Sequence, residues 1–314
     1  MYVQFFVIFA LVIIGFFLGR RGIIDENTNA GINKMIMKLI VPCMFIDKIG
    51  NLAMNEHTLH EFFLTLIVFT LILFLCGLYA YGYSKIRKFP RENSNVAEFC
   101  MVLPNNAFMG FPIASTFFGE LGLLMMAATN AAMNIYMFSY GIMLMERNER
   151  DGRQSFAVHA VRMAKHLFNP MMASLVISLF ICGFGLAIPL PLKELLSQIS
   201  GLCTPLAMLY VGATLSKGDF ASVLKSKAVI EASLNKVFIM PLITWGLVYF
   251  LPLGMVAKAM CILAAAMPTA AMTSMLAGDH RQDTRLAGMI LLVTTALSAA
   301  TMMIWIQLIY IFLV

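Results

Sequence analysis

The stretch "LPNNAFMGFP" (residues 103–112) lies inside an apolar run, 96–118, long enough to be a membrane helix. It holds two prolines, two asparagines and a glycine: Pro104, Asn105, Asn106, Gly110 and Pro112. Proline lacks the N–H, and its ring clashes with the preceding turn. The two prolines therefore predict a backbone that unwinds around Asn105–Asn106. In lipid every freed backbone group needs a partner, so such a break must be buried in protein or line a cavity. A broken helix also leaves a half-helix N-terminus with roughly half a positive charge and unpaired N–H donors. The amides of Asn105 and Asn106 add uncharged donors at the same place.

The rest of the chain explains why lipid is the right solvent to consider. Its 314 residues are 61% hydrophobic and 12% charged, with mean hydropathy +0.85. A soluble domain is about a quarter charged, and no soluble core could absorb this much apolar surface. The chain reads as an all-α polytopic membrane protein. The first apolar run, Tyr2–Gly19, reads as a span and not a signal peptide, because no basic segment precedes it and no small-residue cleavage site follows. The six cysteines (43, 76, 100, 182, 203, 261) fall in apolar runs without C-x-x-C spacing, and the five histidines form no metal spacing. No metal and no cofactor are expected.

Apolar segments of about 20 residues predict ten spans: 2–19, 31–49, 61–83, 96–118, 121–145, 168–188, 194–215, 229–251, 256–277 and 286–313. Sixteen of the 22 lysines and arginines lie in loops that follow odd-numbered spans. That bias places those loops in the cytoplasm and both termini outside, in the plasma (inner) membrane. It also accounts for the net charge of +6 without a nucleic-acid partner. The prolines repeat. Pro42 and Pro104 are 62 residues apart, Pro205 and Pro268 are 63 apart, and the two pairs are offset by 163 and 164. The organisation expected is a first repeat of spans 1–5 (1–145), a cytoplasmic linker (146–167), and a second repeat of spans 6–10 (168–314). Five spans is an odd number, so the second repeat inserts inverted. Paired, proline-interrupted spans in inverted halves point to the substrate site of a secondary transporter. For Pro42 and Pro205 simple kinking is an equal alternative.

Span 9 reads "AAAMPTAAMTSMLAG" (264–278), with Pro268 as breaker and Thr269, Thr273 and Ser274 as the polar groups after it. Inversion should bring this break against that of span 4. In span 5, Asn130 and Asn134 are four residues apart and share a helix face, followed by Tyr136. Together these groups would hold a carboxylate without a buried charge. The alternative is that they glue helices together. Ionisable residues inside spans are functional suspects. Asp47 and Lys48 in "FIDKIG" (45–50) are adjacent and expected to point apart on a helix, unable simply to pair. Asp47 and Glu98 are candidate proton or ion relays. Glu231 and Lys236 in span 8 fall with them, and snorkelling span ends are the plainer reading of the set.

"NNAFMGFP", "TPLAMLYVGATLSKGDF" (204–220), "NKVFIMPLI" (235–243) and "AMPTAAMTSMLA" (266–277) together resemble the auxin efflux carrier family, which includes plant PIN-FORMED exporters and bacterial malate and malonate permeases. The resemblance runs over nearly the whole chain. It implies two inverted five-helix repeats with broken, crossing helices 4 and 9. It implies a scaffold from spans 1, 2, 6 and 7, a transport domain from spans 3–5 and 8–10, an elevator-like movement and a homodimer. The family's crossover asparagine corresponds to Asn105 or Asn106, and its prolines to Pro104 and Pro268. The family often carries an asparagine four residues after the second proline. This chain has Met272 there, so half of a polar pair is missing or replaced by Thr273.

The function expected is a permease for small organic anions held at the span 4/9 crossing by Asn105, Asn106, Pro104, Gly110, Pro112, Pro268, Thr269, Thr273, Ser274, Asn130 and Asn134. The chief rival is a Na⁺- or H⁺-coupled symporter or antiporter of the related bile-acid-symporter-like fold. That rival needs carboxylates near the crossing, and the centres of spans 4 and 9 have none. A membrane enzyme would need a nucleophile–base pair or metal cluster, and the spans offer neither.

Overall fold

The computed structural model describes residues 2–52, 54–148, 170–218 and 226–313, and every regular element among them is helical. In chain order the helices are α1 (Tyr2–Arg20), α2 (Glu26–Ile49), α3 (Glu56–Ile86), α4 (Arg91–Val102), α5 (Asn106–Met145), α6 (Pro170–Gly183), α7 (Leu190–Ser216), α8 (Lys227–Tyr249), α9 (Met255–Ala266), α10 (Met272–Asp279) and α11 (Thr284–Phe312). Seven are long and apolar enough to cross a membrane: α1, α2, α3, α5, α7, α8 and α11. Ten spans were expected. The difference arises where the chain is broken or short. Helices α4 and α9 have 12 residues each, α6 has 14, and α5 runs on for 40. Within α5, Gly119 interrupts the helix at φ +64°, ψ −152°, a left-handed conformation open to glycine without a Cβ penalty. Most of the expected 146–167 linker lies outside the described residues.

Not every proline acts alike. Pro42, Pro112 and Pro241 sit inside continuous helix, each directly after a π-helical turn: Ile36–Ile40, Asn106–Gly110 and Asn235–Ile239. The wider i→i+5 turn accommodates the ring and the missing N–H. Pro205 lies in the first turn of helix Cys203–Ser216, where an N–H would have no intrahelical acceptor. Among the described prolines within the ten expected spans, only at Pro104 and Pro268 does the chain leave the helix. The break in the quoted stretch is therefore confined to Leu103–Asn105, and helix resumes at Asn106, before Pro112.

The chain divides into two compact units, each drawing on both halves of the sequence. One comprises Met1–Leu64, Ala107–Ala128 and Phe168–Lys217. Its helices pack closely: a Cβ built on Gly212 would overlap the Val12 carbonyl and lie 2.7 Å from the Phe16 nitrogen, so α1 and α7 meet backbone to backbone. Small residues permit such approaches between membrane helices. Aromatic pairs Phe45–Phe111 and Phe108–Tyr210, with ring centroids 5.0 and 4.5 Å apart, fill the same unit. The other unit comprises Thr65–Asn106, Thr129–Leu167 and Gly218–Val314. Phe99, Met101, Leu103, Leu263 and Met267 are fully buried in it. Large apolar side chains such as Phe6, Leu71, Leu78 and Phe250 are exposed on the surface, as a chain solvated by lipid requires.

Candidate functional site

In the second unit α4 ends at Val102 and α9 ends at Ala266, and the two chains that leave them run past each other. Pro104 and Thr269 form an isolated antiparallel bridge. Asn105 N–H donates to the Pro268 carbonyl at 2.8 Å, and Ala270 N–H donates to the Leu103 carbonyl at 3.1 Å. Each broken segment thus satisfies backbone groups that the other leaves without helical partners.

The remaining orphans are met by side chains. In an unbroken helix the Cys100 carbonyl would accept from residue 104, but Pro104 has no N–H to give. The Thr269 hydroxyl takes that place, donating to the Cys100 carbonyl at 2.7 Å. Thr269 N–H donates in turn to Thr294 Oγ1 on α11 at 3.1 Å. Thr273 donates its hydroxyl to the Ala270 carbonyl at 2.7 Å. A threonine hydroxyl has one proton to donate, so neither residue can also donate to an anion. Both were singled out as substrate ligands, and both engage the backbone of the crossing.

The asparagines behave differently. Asn106 is fully buried and donates from Nδ2 to Thr129 Oγ1 at 3.3 Å, while its Oδ1 has no hydrogen-bond partner among the described residues. Asn130 follows Thr129, is fully buried, and neither of its amide atoms is partnered. Asn134 Nδ2 and the Tyr136 hydroxyl, on the same helix, lack partners as well, as does Ser274 Oγ on α10. Buried polar atoms are almost always hydrogen-bonded, and exceptions ask for a reason. Among the described residues six of the twelve such atoms lie on α5 and α10, and the other six belong to Asn29, Asp47, Asn95, Ser233 and Thr301. Asn105 is also buried. Met272 heads α10 and is partly exposed. Gly110 and Pro112 belong to the other compact unit.

Four ionisable groups, Asp47, Lys48, Glu98 and Lys236, have partners that the sequence reading did not give them. Asp47 and Lys48 do pair, with Nζ 3.6 Å from Oδ2. They lie in the π-helical turn Phe45–Ile49, and the four-carbon lysine stem bends back to the buried carboxylate. Glu98 is buried and locked. Arg147 donates to both of its oxygens, at 3.0 and 3.1 Å, and Ser84 donates to Oε1 as well. It lines a cavity of about 400 Å³ with Arg147, Lys85, Lys88, Tyr81 and Ser94. A carboxylate held in a bidentate guanidinium fork is a strong, fixed pair.

Lys236 is no snorkelling span end. It is completely buried in α8, and its ammonium donates to the Val102 carbonyl at 3.1 Å and the Ala265 carbonyl at 3.2 Å. Those residues close α4 and α9. Its place within span 8, "NKVFIMPLI", was visible in the sequence, but its two partners lie 134 and 29 residues away. No local pattern could have found them.

A model of the membrane transport protein family matches residues 1–306. A protein of Methanothermobacter thermautotrophicus described as "Uncharacterized transporter" is 21% identical over 298 residues, covering 95% of each chain. One of Methanocaldococcus jannaschii with the same description is 24% identical over 308 residues, 95% of this chain and 96% of the relative. A Rhizobium meliloti protein described as "Putative malonate transporter" is 23% identical over 302 residues, 93% of this chain and 91% of the relative.

Proposed function

Because the chain belongs to the membrane transport protein family, we propose that it is a secondary carrier of small organic anions, with the carboxylate held by the asparagine-rich segments beside the crossing of 103–105 and 268–270. The observation that carries this reading is the set of buried donors without partners among the described residues, Asn130 Nδ2, Asn134 Nδ2 and Ser274 Oγ, to which Asn106 adds the second Nδ2 proton that Thr129 does not take. A folded protein keeps unsatisfied amides at a cost of about 1–3 kcal/mol each, which a polar ligand can offset. The groups are uncharged, so they bind an anion without trapping it. The description of the Rhizobium meliloti relative makes malonate the first acid to test.

Ten crossings in two inverted repeats suit the same reading. At 1.5 Å per residue, the 40 residues of α5 extend about 60 Å, twice the roughly 30 Å hydrocarbon core, with Gly119 as the point of return. The 12-residue α4 and α9 are half-spans of about 18 Å, continued beyond their breaks by α5 and α10. Spans 1, 2, 6 and 7 fall in one compact unit and most of spans 3, 5, 8, 9 and 10 in the other, while span 4, expected with the latter, is divided between the two at Asn106. That division supports an elevator-like mechanism in which the second unit carries the site. The basic loops support both termini outside.

The test is uptake of labelled malonate, malate, lactate and indole-3-acetate into proteoliposomes, for wild type and for Asn106→Ala and Asn130→Ala. We expect saturable uptake of at least one acid, lost in both variants while their elution profiles stay monodisperse. Full uptake by both variants would place the substrate elsewhere.

A further inference from the structure

The ammonium of Lys236 meets the ends of two broken helices. Val102 is the last residue of α4 and Ala265 the penultimate residue of α9. Their carbonyls lack helical donors because the chain leaves the helix there: the N–H of Thr269, four residues after Ala265, turns to Thr294. A helix C-terminus carries about half a negative charge, so two converging ends present about one. Lysine supplies one positive charge. Among the described residues no carboxylate completes the arrangement. The titratable groups facing the ammonium are the thiols of Cys76 on α3 and Cys100 on α4, and neither thiol forms an ion pair with it among the described residues. Removing an ammonium from water costs several kcal/mol, far more than burying a leucine or methionine in its place. What leucine or methionine would not supply is a donor for the two buried carbonyls.

In carriers built on broken helices, unwound carbonyls and half-helix C-termini are the ligands that take a coupling cation. Here two half-helix C-termini hold a cation that cannot leave. We infer that Lys236 is a tethered counter-cation, whose ammonium occupies the position at the α4 and α9 ends that a free Na⁺ would otherwise take, so that the crossing assembles and works without Na⁺. The inference adds to the carrier reading above, resting on it for function but not for the cation chemistry. Lys236 is a positioning residue: it holds the two half-helix ends beside the segments that carry the asparagines.

The test is thermal unfolding of the purified, detergent-solubilised full chain in Na⁺, K⁺, choline or methylammonium chloride at constant ionic strength. Wild type should unfold at one midpoint in all four. Lys236→Met removes the donor for two buried carbonyls and fills the space, so its midpoint should fall by roughly 5–10 °C and ignore the cation. Lys236→Ala leaves room, and methylammonium or Na⁺ should recover part of the loss, by mass action on the folded state. A wild-type midpoint that rises in Na⁺ over choline overturns the inference. So does a Lys236→Ala midpoint indifferent to every cation. If Lys236→Ala cannot be purified, the wild-type comparison decides alone. None of these measurements uses a substrate. A silent uptake panel would therefore count against the carboxylate reading and leave the cation result standing.

Discussion

Replacing Thr269 by valine should weaken the fold and leave substrate affinity unchanged. Valine keeps the shape of threonine and loses the hydroxyl, so no cavity opens. What goes is the 2.7 Å hydrogen bond to the Cys100 carbonyl, which has no alternative donor because residue 104 is proline. A buried group left unsatisfied costs about 1–3 kcal/mol. Hydrogen bonds measured between membrane helices average nearer 0.6 kcal/mol, because the unfolded chain in lipid also finds partners. Cys100 and Thr269 are both completely buried, and we take about 1–2 kcal/mol for Thr269→Val. Thr269→Ser keeps the donor and should stay within roughly 0.5 kcal/mol of wild type. The assay is reversible unfolding by SDS titration in mixed micelles, read by helical circular dichroism, with carboxylate affinity measured on the same preparations. Equal stability of the valine and serine variants, with affinity lost only in the valine variant, would refute the reasoning. The hydroxyl would then belong to the substrate, as the sequence pattern alone suggests.

Other expectations concern single residues. Asn130→Leu removes an amide that has no protein partner; stability should hold or rise by about 1 kcal/mol in the same SDS titration, while uptake falls at least tenfold, a split that a purely structural asparagine would not show. Gly212→Ala places a methyl against the backbone of α1 and should destabilise by about 1–3 kcal/mol, whereas Gly246→Ala, with open space around it, should be neutral or slightly stabilising in the same unfolding measurement. Arg147→Ala leaves the buried Glu98 carboxylate without its guanidinium partner. Because Arg147 is a third exposed, the loss should be about 2–3 kcal/mol, below that of a wholly buried pair. Adding Glu98→Gln should restore much of it, and a double variant no more stable than Arg147→Ala would show that the pair is not what matters.

Several of these effects turn on partners that no local pattern shows. The prolines illustrate the limit. Five of them, 42, 104, 112, 205 and 268, read as possible helix breakers, with kinking an equal alternative at 42 and 205, because each lacks an N–H whatever its surroundings. Two break the chain and three do not. A helix absorbs proline if the preceding turn can widen or if the proline falls in the first turn, and only tertiary packing decides that. The threonines show the same limit from another side. Thr269 and Thr273 look available for a ligand because their hydroxyls are polar in an apolar run, and Thr269 proves to serve a carbonyl 169 residues earlier.

What the sequence by itself determined is the solvent, the helical class, the prolines at which a break could fall, and the concentration of asparagines beside Pro104. These follow from composition and from backbone chemistry within a few residues: apolar runs must lie in lipid, and a proline cannot donate. What only the tertiary structure decided is which polar groups are already engaged. The two breaks exchange backbone hydrogen bonds with each other, Arg147 neutralises Glu98, and Lys236 closes both half-helix ends. Each of these is a pairing between groups brought together by folding. A buried charge or amide has its role set by what faces it at 3 Å, and that neighbour is usually far away along the chain.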